Sequence, residues 1–382
     1  MLLTDFVPTR PCNELPQADM LAWLAEAYAR ADAHTQGLDE RARAELQERL
    51  ARVLQRCGCP PDKIATRRLA IADLGRSAWA EQEIYALETH PRGRGTEART
   101  RKFEEVVDAY FAETYASEVD GPGELIHVTC TGYASPSGAQ KLVAARGWGG
   151  FTRVTHAYQM GCYAAVPALR LAAGSLALPP HLAPTRRVVD IVHTELCSLH
   201  LDPTDHSLEQ MVVHSLFADG LIRYRARPVA TRGPGLRVLA LHEEVLPDSA
   251  DAMSWRVGDH GMQMTLSRAV PDRIAGALRA FTSRLLARAG LGVADLRQAA
   301  VAVHPGGPKI IDRVATVLEL ADAQVATSRG VLHDFGNMSS ATLPHIWMRM
   351  LADPGIPVGT RIPSFAFGPG LTMCGAVLEK QA

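Results

Sequence analysis

No apolar run of about 18 residues occurs in the chain, which leaves no segment expected to cross a bilayer as a helix. Net charge is almost absent: 40 Lys and Arg stand against 41 Asp and Glu, giving −1 at pH 7. A broad basic face for nucleic acid is therefore not expected. The first residues lack a charged start followed by an apolar stretch, so no signal peptide is expected. Seven cysteines, an odd number at irregular positions, give no disulfide framework and fit a reduced, cytoplasmic setting. Cys57-Gly58-Cys59 is too tight for an ordinary zinc pair and has no C-x-x-C companion. His193, His200 and His206, around Glu195, match no ligand spacing, and no metal site is expected. No obvious repeat relates one part of the chain to another.

What the chain does have is apolar bulk. Hydrophobic residues make up 47% and charged residues 21% of 382 positions, enough for a large core and more than one typical domain. Helical and strand patterns alternate, which points to an α/β class. Met20 to Arg56 reads as helical with a break at Gln36-Gly37, and Phe103 to Tyr115 as an amphipathic helix. Leu125–Thr129, Arg187–Val192 and Leu236–Leu241 read as strands, with a polar break at Ala230–Gly235. The densest basic run, Arg92 to Lys102, reads as a solvated face or, more sharply, as a dock for an acidic carrier protein.

The most informative junction is Gly161-Cys162-Tyr163. A β-branched and aromatic strand precedes it (Phe151–Tyr158) and a small-residue helix follows (Ala164–Gly174). A thiol on a strand-to-helix turn sits at a helix N-terminus, whose dipole favours the thiolate. The competing reading is a buried small hydrophobe. Two distant segments favour the chemical one. His304 follows the apolar run Ala299–Ala302 on a Gly/Pro-shaped turn, and Asn337 lies in Asp334–Thr342 beside a glycine and hydroxyls. His333, four residues before Asn337, is the weaker candidate base, because Gly336 interrupts any shared helix face. Cys, His and Asn at the mouths of elements form the set a thioester-handling site needs. Imidazole can keep the sulfur ionised, and imidazole with carboxamide can donate to a developing oxyanion.

With these residues in view the chain resembles the type III polyketide synthases, the chalcone synthase family of the thiolase-like condensing enzymes. The resemblance rests on Met160–Ala165, Leu216–Gly220, His304–Pro308, Gly336–Ala341 and Phe367–Thr372, in family order and with family-like spacing. It implies a duplicated, five-layer αβαβα thiolase-like fold, with an N-terminal half over residues 1–230 carrying Cys162 and a C-terminal half over 231–382 carrying His304 and Asn337. It also implies a homodimer and no cofactor beyond CoA or carrier-protein thioesters as substrates.

Further roles follow from the same resemblance. Lys63, Arg67 and Arg68 occupy the region where the family places basic residues at the tunnel mouth, and so are expected to hold the phosphates of the donor. Phe217 keeps one gatekeeper aromatic, whereas Met264 replaces the second, which suits a passage for flexible acyl chains. Ser135 stands where family members push a methionine into the partner's cavity, and Ser339 lies in the motif beside Asn337. These departures point to a fatty or β-ketoacyl starter. The implied function is that of a bacterial type III polyketide synthase. It loads an acyl group on Cys162, extends it with malonyl thioester by decarboxylative condensation, and cyclises the chain to a pyrone or resorcinol. Two alternatives are a stand-alone ketosynthase joining two carrier-bound acyl chains to an α-pyrone, and a silent partner subunit. The intact Cys162, His304 and Asn337 speak against the last.

Overall fold

Strand β1 (Leu2–Thr9) starts the chain and ends in the middle of the largest sheet. The hairpin formed by β2 (Asn13–Pro16) and β3 (Thr66–Leu69) brackets helices α1 (Gln17–Gln36) and α2 (Glu40–Cys57). Gly37 ends α1 in the left-handed conformation (φ 68°), and Asp39 caps α2 by accepting from the Ala42 N–H at 2.8 Å. This is the break read at Gln36-Gly37. Helix α3 (Thr96–Thr114) reaches further back than the apolar pattern suggested and absorbs the end of the basic run.

In the computed structural model, which describes all 382 residues, the remaining elements follow the alternating order. They are β4 (Glu124–Thr129), α4 (Gly138–Ala145), β5 (Arg153–Tyr158), α5 (Ala165–Ala177), β6 (Val189–Leu196), α6 (Leu208–Leu216) and β7 (Asp219–Arg227). The chain then continues through β8 (Gly235–Val245), the separate hairpin β9 (Met253–Gly258) and β10 (Gly261–Leu266), and α7 (Val270–Arg288). It closes with β11 (Ala302–Val303), α8 (Pro308–Leu318), α9 (Asp322–Phe335), α10 (Thr342–Ala352), β12 (Arg361–Gly368) and β13 (Thr372–Gln381).

Nine strands join in the order β11-β12-β13-β8-β1-β7-β6-β4-β5. β4 runs parallel to β5 and β6, whereas β1, β7, β8 and β13 pair antiparallel. Residue 230 lies in the loop between β7 and β8, and the strands on its two sides are joined only through β1. That link is narrow, with Leu2 opposite Arg237 and Leu3 opposite Leu236. Helices α5 and α10 pack on strands from both sides of the loop, so the fold is a thiolase-like arrangement of sheets around a central pair of helices. The small side chains of α5 permit this: Ala165, Val166, Ala168, Leu169 and Ala172 are all fully buried in one shared core. No helix is long and apolar enough to cross a membrane.

One loop entering the site is packed without slack. A methyl group on Gly132 would fall 2.3–2.5 Å from three ring carbons of buried Phe103. Gly132→Ala is therefore expected to destabilise the protein by about 1–3 kcal/mol through overpacking. Thermal denaturation should show a lowered Tm, and adding Phe103→Leu should recover part of it.

Candidate active site

Cys162 sits in the 3-10 turn Gly161–Tyr163 between β5 and α5, as the change of hydrophobic period suggested. Gly161 has φ 72°, and a side chain there would press on Pro369, whose Cδ would be 3.0 Å from the new Cβ. The turn is thus clamped by the β12–β13 connection. The Cys162 Sγ lies 3.8 Å from Ser339 Oγ. Burial pushes the thiol up to about 12, while the Ser339 hydroxyl and the Asn337 carboxamide pull the other way.

His304 follows β11, and its backbone N–H donates to Phe365 O at 2.8 Å, so the β11–β12 pairing fixes the turn. Burial pushes its imidazole down to about 3. Asn337 follows Gly336 (φ 74°), which stops α9. Its backbone is held from both sides, with Asn337 N–H donating to Leu216 O at 2.9 Å and Ala218 N–H to Asn337 O at 2.8 Å. This bridge pairs Asn337 with Phe217. The Asn337 Oδ1 accepts from the Ser339 N–H at 2.9 Å. His304 and Asn337 are each 1% exposed, yet both ring nitrogens of His304 and Nδ2 of Asn337 have no protein partner. An unpaired buried donor or acceptor costs roughly 1–3 kcal/mol, a cost expected where a substrate atom completes the bond.

A cavity of about 390 Å³ opens onto Cys162 and Ser339 and is also lined by Phe217, Met264 and Trp255. The hairpin β9–β10 covers it. Trp255 Nε1 donates to Cys130 O at 2.6 Å, and Gln210 Nε2 to Met264 O at 2.6 Å, which ties the hairpin to the nucleophile's surroundings and to α6. Ser135 is exposed and does not line the cavity of its own chain.

The three basic residues expected at the tunnel mouth do not form a phosphate site. Arg67 is 1% exposed and points inward, its Nη1 donating to His214 O (2.8 Å) and Phe217 O (2.9 Å). Arg68 is spent on Glu14 and on Pro11 O. Only Lys63 is exposed, beside Asp62 at 3.3 Å. Most of the basic run is likewise paired. Arg99 is buried with its guanidinium on the carbonyls of Arg92, Arg94 and Leu201, and Arg92 pairs with Asp202. Arg101 pairs with Glu97, and Lys102 with Glu83 and Glu105, so that Arg94 is the one exposed cation of the run without an acidic partner. His333 belongs to α9, half exposed and paired with Asp334, away from the site.

Other residues enter the site without having been singled out for it. Cys130 lines the cavity with its Sγ 3.2 Å from Ser339 Oγ. Glu195 is fully buried behind it and accepts from the Cys130 N–H (3.0 Å), Thr131 Oγ1 (3.1 Å) and Ser340 Oγ. Burial pushes its carboxyl up. The available signal was an acid within a strand buried on both faces, Val189–Leu196. No group of three or more His, Cys, Asp or Glu side chains is placed to hold a metal.

The fold and the cavity-facing thiol define a thiolase-like condensing enzyme. Solved structures with the same fold span the whole chain. The C-terminal type III polyketide synthase domain of Steely1 from Dictyostelium has a TM-score of 0.80 at 23% identity, covering 100% of this chain and 99% of that one. The 1,3,6,8-tetrahydroxynaphthalene synthase of Streptomyces coelicolor A3(2) has a TM-score of 0.78 at 22% identity, with 100% of both chains covered. Residues 238–381 match the family described as chalcone and stilbene synthases, C-terminal domain. In sequence, the 1,3,6,8-tetrahydroxynaphthalene synthase of Streptomyces griseus is 31% identical over 283 residues, 72% of this chain and 71% of its own length. A probable polyketide synthase of Dictyostelium discoideum is 31% identical over 260 residues, 67% of this chain but 8% of that much longer protein. The chain belongs to the type III polyketide synthases of the chalcone synthase family, which are condensing acyltransferases.

Proposed function

We propose that the protein loads an acyl group from a CoA thioester onto Cys162, extends it with malonyl-CoA, and cyclises the product to a pyrone or resorcinol. In the first step the Cys162 Sγ forms a bond to the acyl carbon, its proton passes to His304, and the donor leaves as a thiol on taking that proton. Burial disfavours either charge alone, so thiolate and imidazolium form together or not at all. In the second step malonyl thioester loses carbon dioxide, and the electron pair left behind is held as an enolate whose oxygen accepts from His304 and from Asn337 Nδ2. The enolate carbon then attacks the acyl carbon on Cys162, and the cysteine departs. The observation that carries this reading is Asn337, whose carboxamide acts on Cys162 while its buried Nδ2 has no other partner, with Ser339 beside the thiol; His304, buried with both ring nitrogens free, is the imidazole proposed to join them.

Of the two starters the sequence left open, the β-ketoacyl one suits the cavity better. Its volume of about 390 Å³ is at the small end for ligand pockets. Its lining includes His200, Asp202, Asp205, Gln210 and Thr265, which offer no continuous apolar slot for a long fatty chain. The protein is proposed to act as a homodimer in the cytoplasm, with Ser135 turned to the partner.

Mass spectrometry of products from purified protein tests the reading, with malonyl-CoA supplied beside acetoacetyl-CoA or a dodecanoyl thioester. Triketide or tetraketide pyrones, formed faster from the short starter, are the expected result. Acylation of Cys162 with no extended product from either starter would instead favour joining of carrier-bound chains.

A further inference from the structure

Arg67 carries a charge into the interior, where an apolar residue of its size would cost less. Asp219, whose field reaches it, gives its oxygens elsewhere: to Ala70 N–H (2.7 Å), Ser198 N–H (2.8 Å) and Ser198 Oγ (2.6 Å). Two Arg67 nitrogens, Nε and Nη2, are buried without a partner. What Arg67 does hold is the end of α6. Its Nη1 bridges the carbonyls of His214 and Phe217, in the last turn of α6 and just beyond it, where carbonyls have no intrahelical partner. A cation there is also favoured by the helix dipole.

The same side chain touches the segment that carries Asn337. A Cβ on Gly336 would lie 3.1 Å from Arg67 Cγ and 3.1 Å from Leu216 O, so Gly336 is seated between the arginine stem and the end of α6. One residue further on, Asn337 takes its backbone bonds from Leu216 and Ala218, on either side of Phe217. The gate residue and the catalytic carboxamide are thus hung from one segment, and Arg67 braces that segment at both ends.

We propose that Arg67 is a positioning residue for Asn337: by joining the His214 and Phe217 carbonyls and bracing Gly336, it sets where the Asn337 carboxamide meets Cys162. This rests on the role proposed for Asn337 above. Both bonds run from the single Nη1, so lysine, whose stem is one bond shorter, would hold the two carbonyls only at longer range, and methionine could fill the space but bind neither.

The test compares Arg67→Met, Arg67→Lys and Asn337→Ala in the full chain. Two rates are read, carbon dioxide release from malonyl-CoA and alkylation of Cys162 by iodoacetamide. For Arg67→Met the expected result is a tenfold or larger fall in kcat for decarboxylation, with KM and Cys162 alkylation within twofold of wild type. Arg67→Lys should recover at least a third of the lost rate. If Arg67→Met does not fold, Arg67→Lys alone must still show a fall of about threefold. A wild-type decarboxylation rate in either variant overturns the proposal, and so does a parallel loss of alkylation, which would mark a merely structural role. Full decarboxylation by Asn337→Ala overturns the role of Asn337 and this proposal with it. A slow Asn337→Ala beside a fast Arg67→Met overturns the proposal alone.

Discussion

Cys162→Ala is expected to form no extended product, a fall of roughly 10⁴-fold or more in condensation, because the sulfur proposed to carry the acyl chain is gone. Intact-protein mass spectrometry after incubation with an acyl-CoA should show one acyl adduct on the wild type and none on the variant. Cys130 makes this a discriminating measurement, since it lines the same cavity and also approaches Ser339. Burial and the neighbouring Glu195 raise both thiols, but Cys162 also has the Asn337 carboxamide pulling it down. An adduct that survives in Cys162→Ala and maps to Cys130 would transfer the nucleophile's role. Decarboxylation of malonyl-CoA should persist in Cys162→Ala within about tenfold, because His304 and Asn337, the donors proposed for the oxyanion, are untouched.

Asn337→Ala is expected to give the opposite profile. Removing one preorganised oxyanion donor costs about 10²–10³-fold in rate, or about 2.7–4 kcal/mol. The loss should fall on decarboxylation and condensation, with acyl loading on Cys162 largely kept. The backbone bonds of Asn337 to Leu216 and Ala218 do not depend on its side chain, so the Phe217 bridge should survive the substitution. A variant that decarboxylates normally but no longer acylates would reverse the assignment of roles.

How much of this was written in the sequence depends on the range of the interaction concerned. The places of Cys162, His304 and Asn337 at element boundaries were legible because glycine and proline mark them and the apolar period changes beside them. That the three should converge was implied by the family resemblance alone, since nothing local shows that β11 pairs with β12 or that Phe217 bridges Asn337. Arg67 was misplaced although a local signal existed. In β3 the burial alternates, with Arg67 and Leu69 on the inner face and Thr66 and Arg68 toward solvent, so a strand reading would have put the two arginines on opposite sides. The Arg92–Lys102 run was read by its charge. Its neutralisation depends on Asp202 and on carbonyls near residue 200, which the run itself does not reveal. The polar lining of the cavity comes largely from the segment between β6 and α6, which has no periodic pattern to read.

The seat of β1 has a consequence for how the molecule is made. On a ribosome the segment Leu2–Thr9 emerges well ahead of its two neighbours in the sheet, β7 and β8, with Leu2 opposite both Arg227 and Arg237. The central strand therefore has to wait through the synthesis of more than 200 residues before either edge of it can be covered. During that time Leu2 and Leu3, fully buried in the finished protein, are an open strand edge that any passing chain can pair with. Contacts of such long sequence separation form slowly, so the pairing of β1 is expected to lag behind the nearer pairing of β4 with β5 and β6.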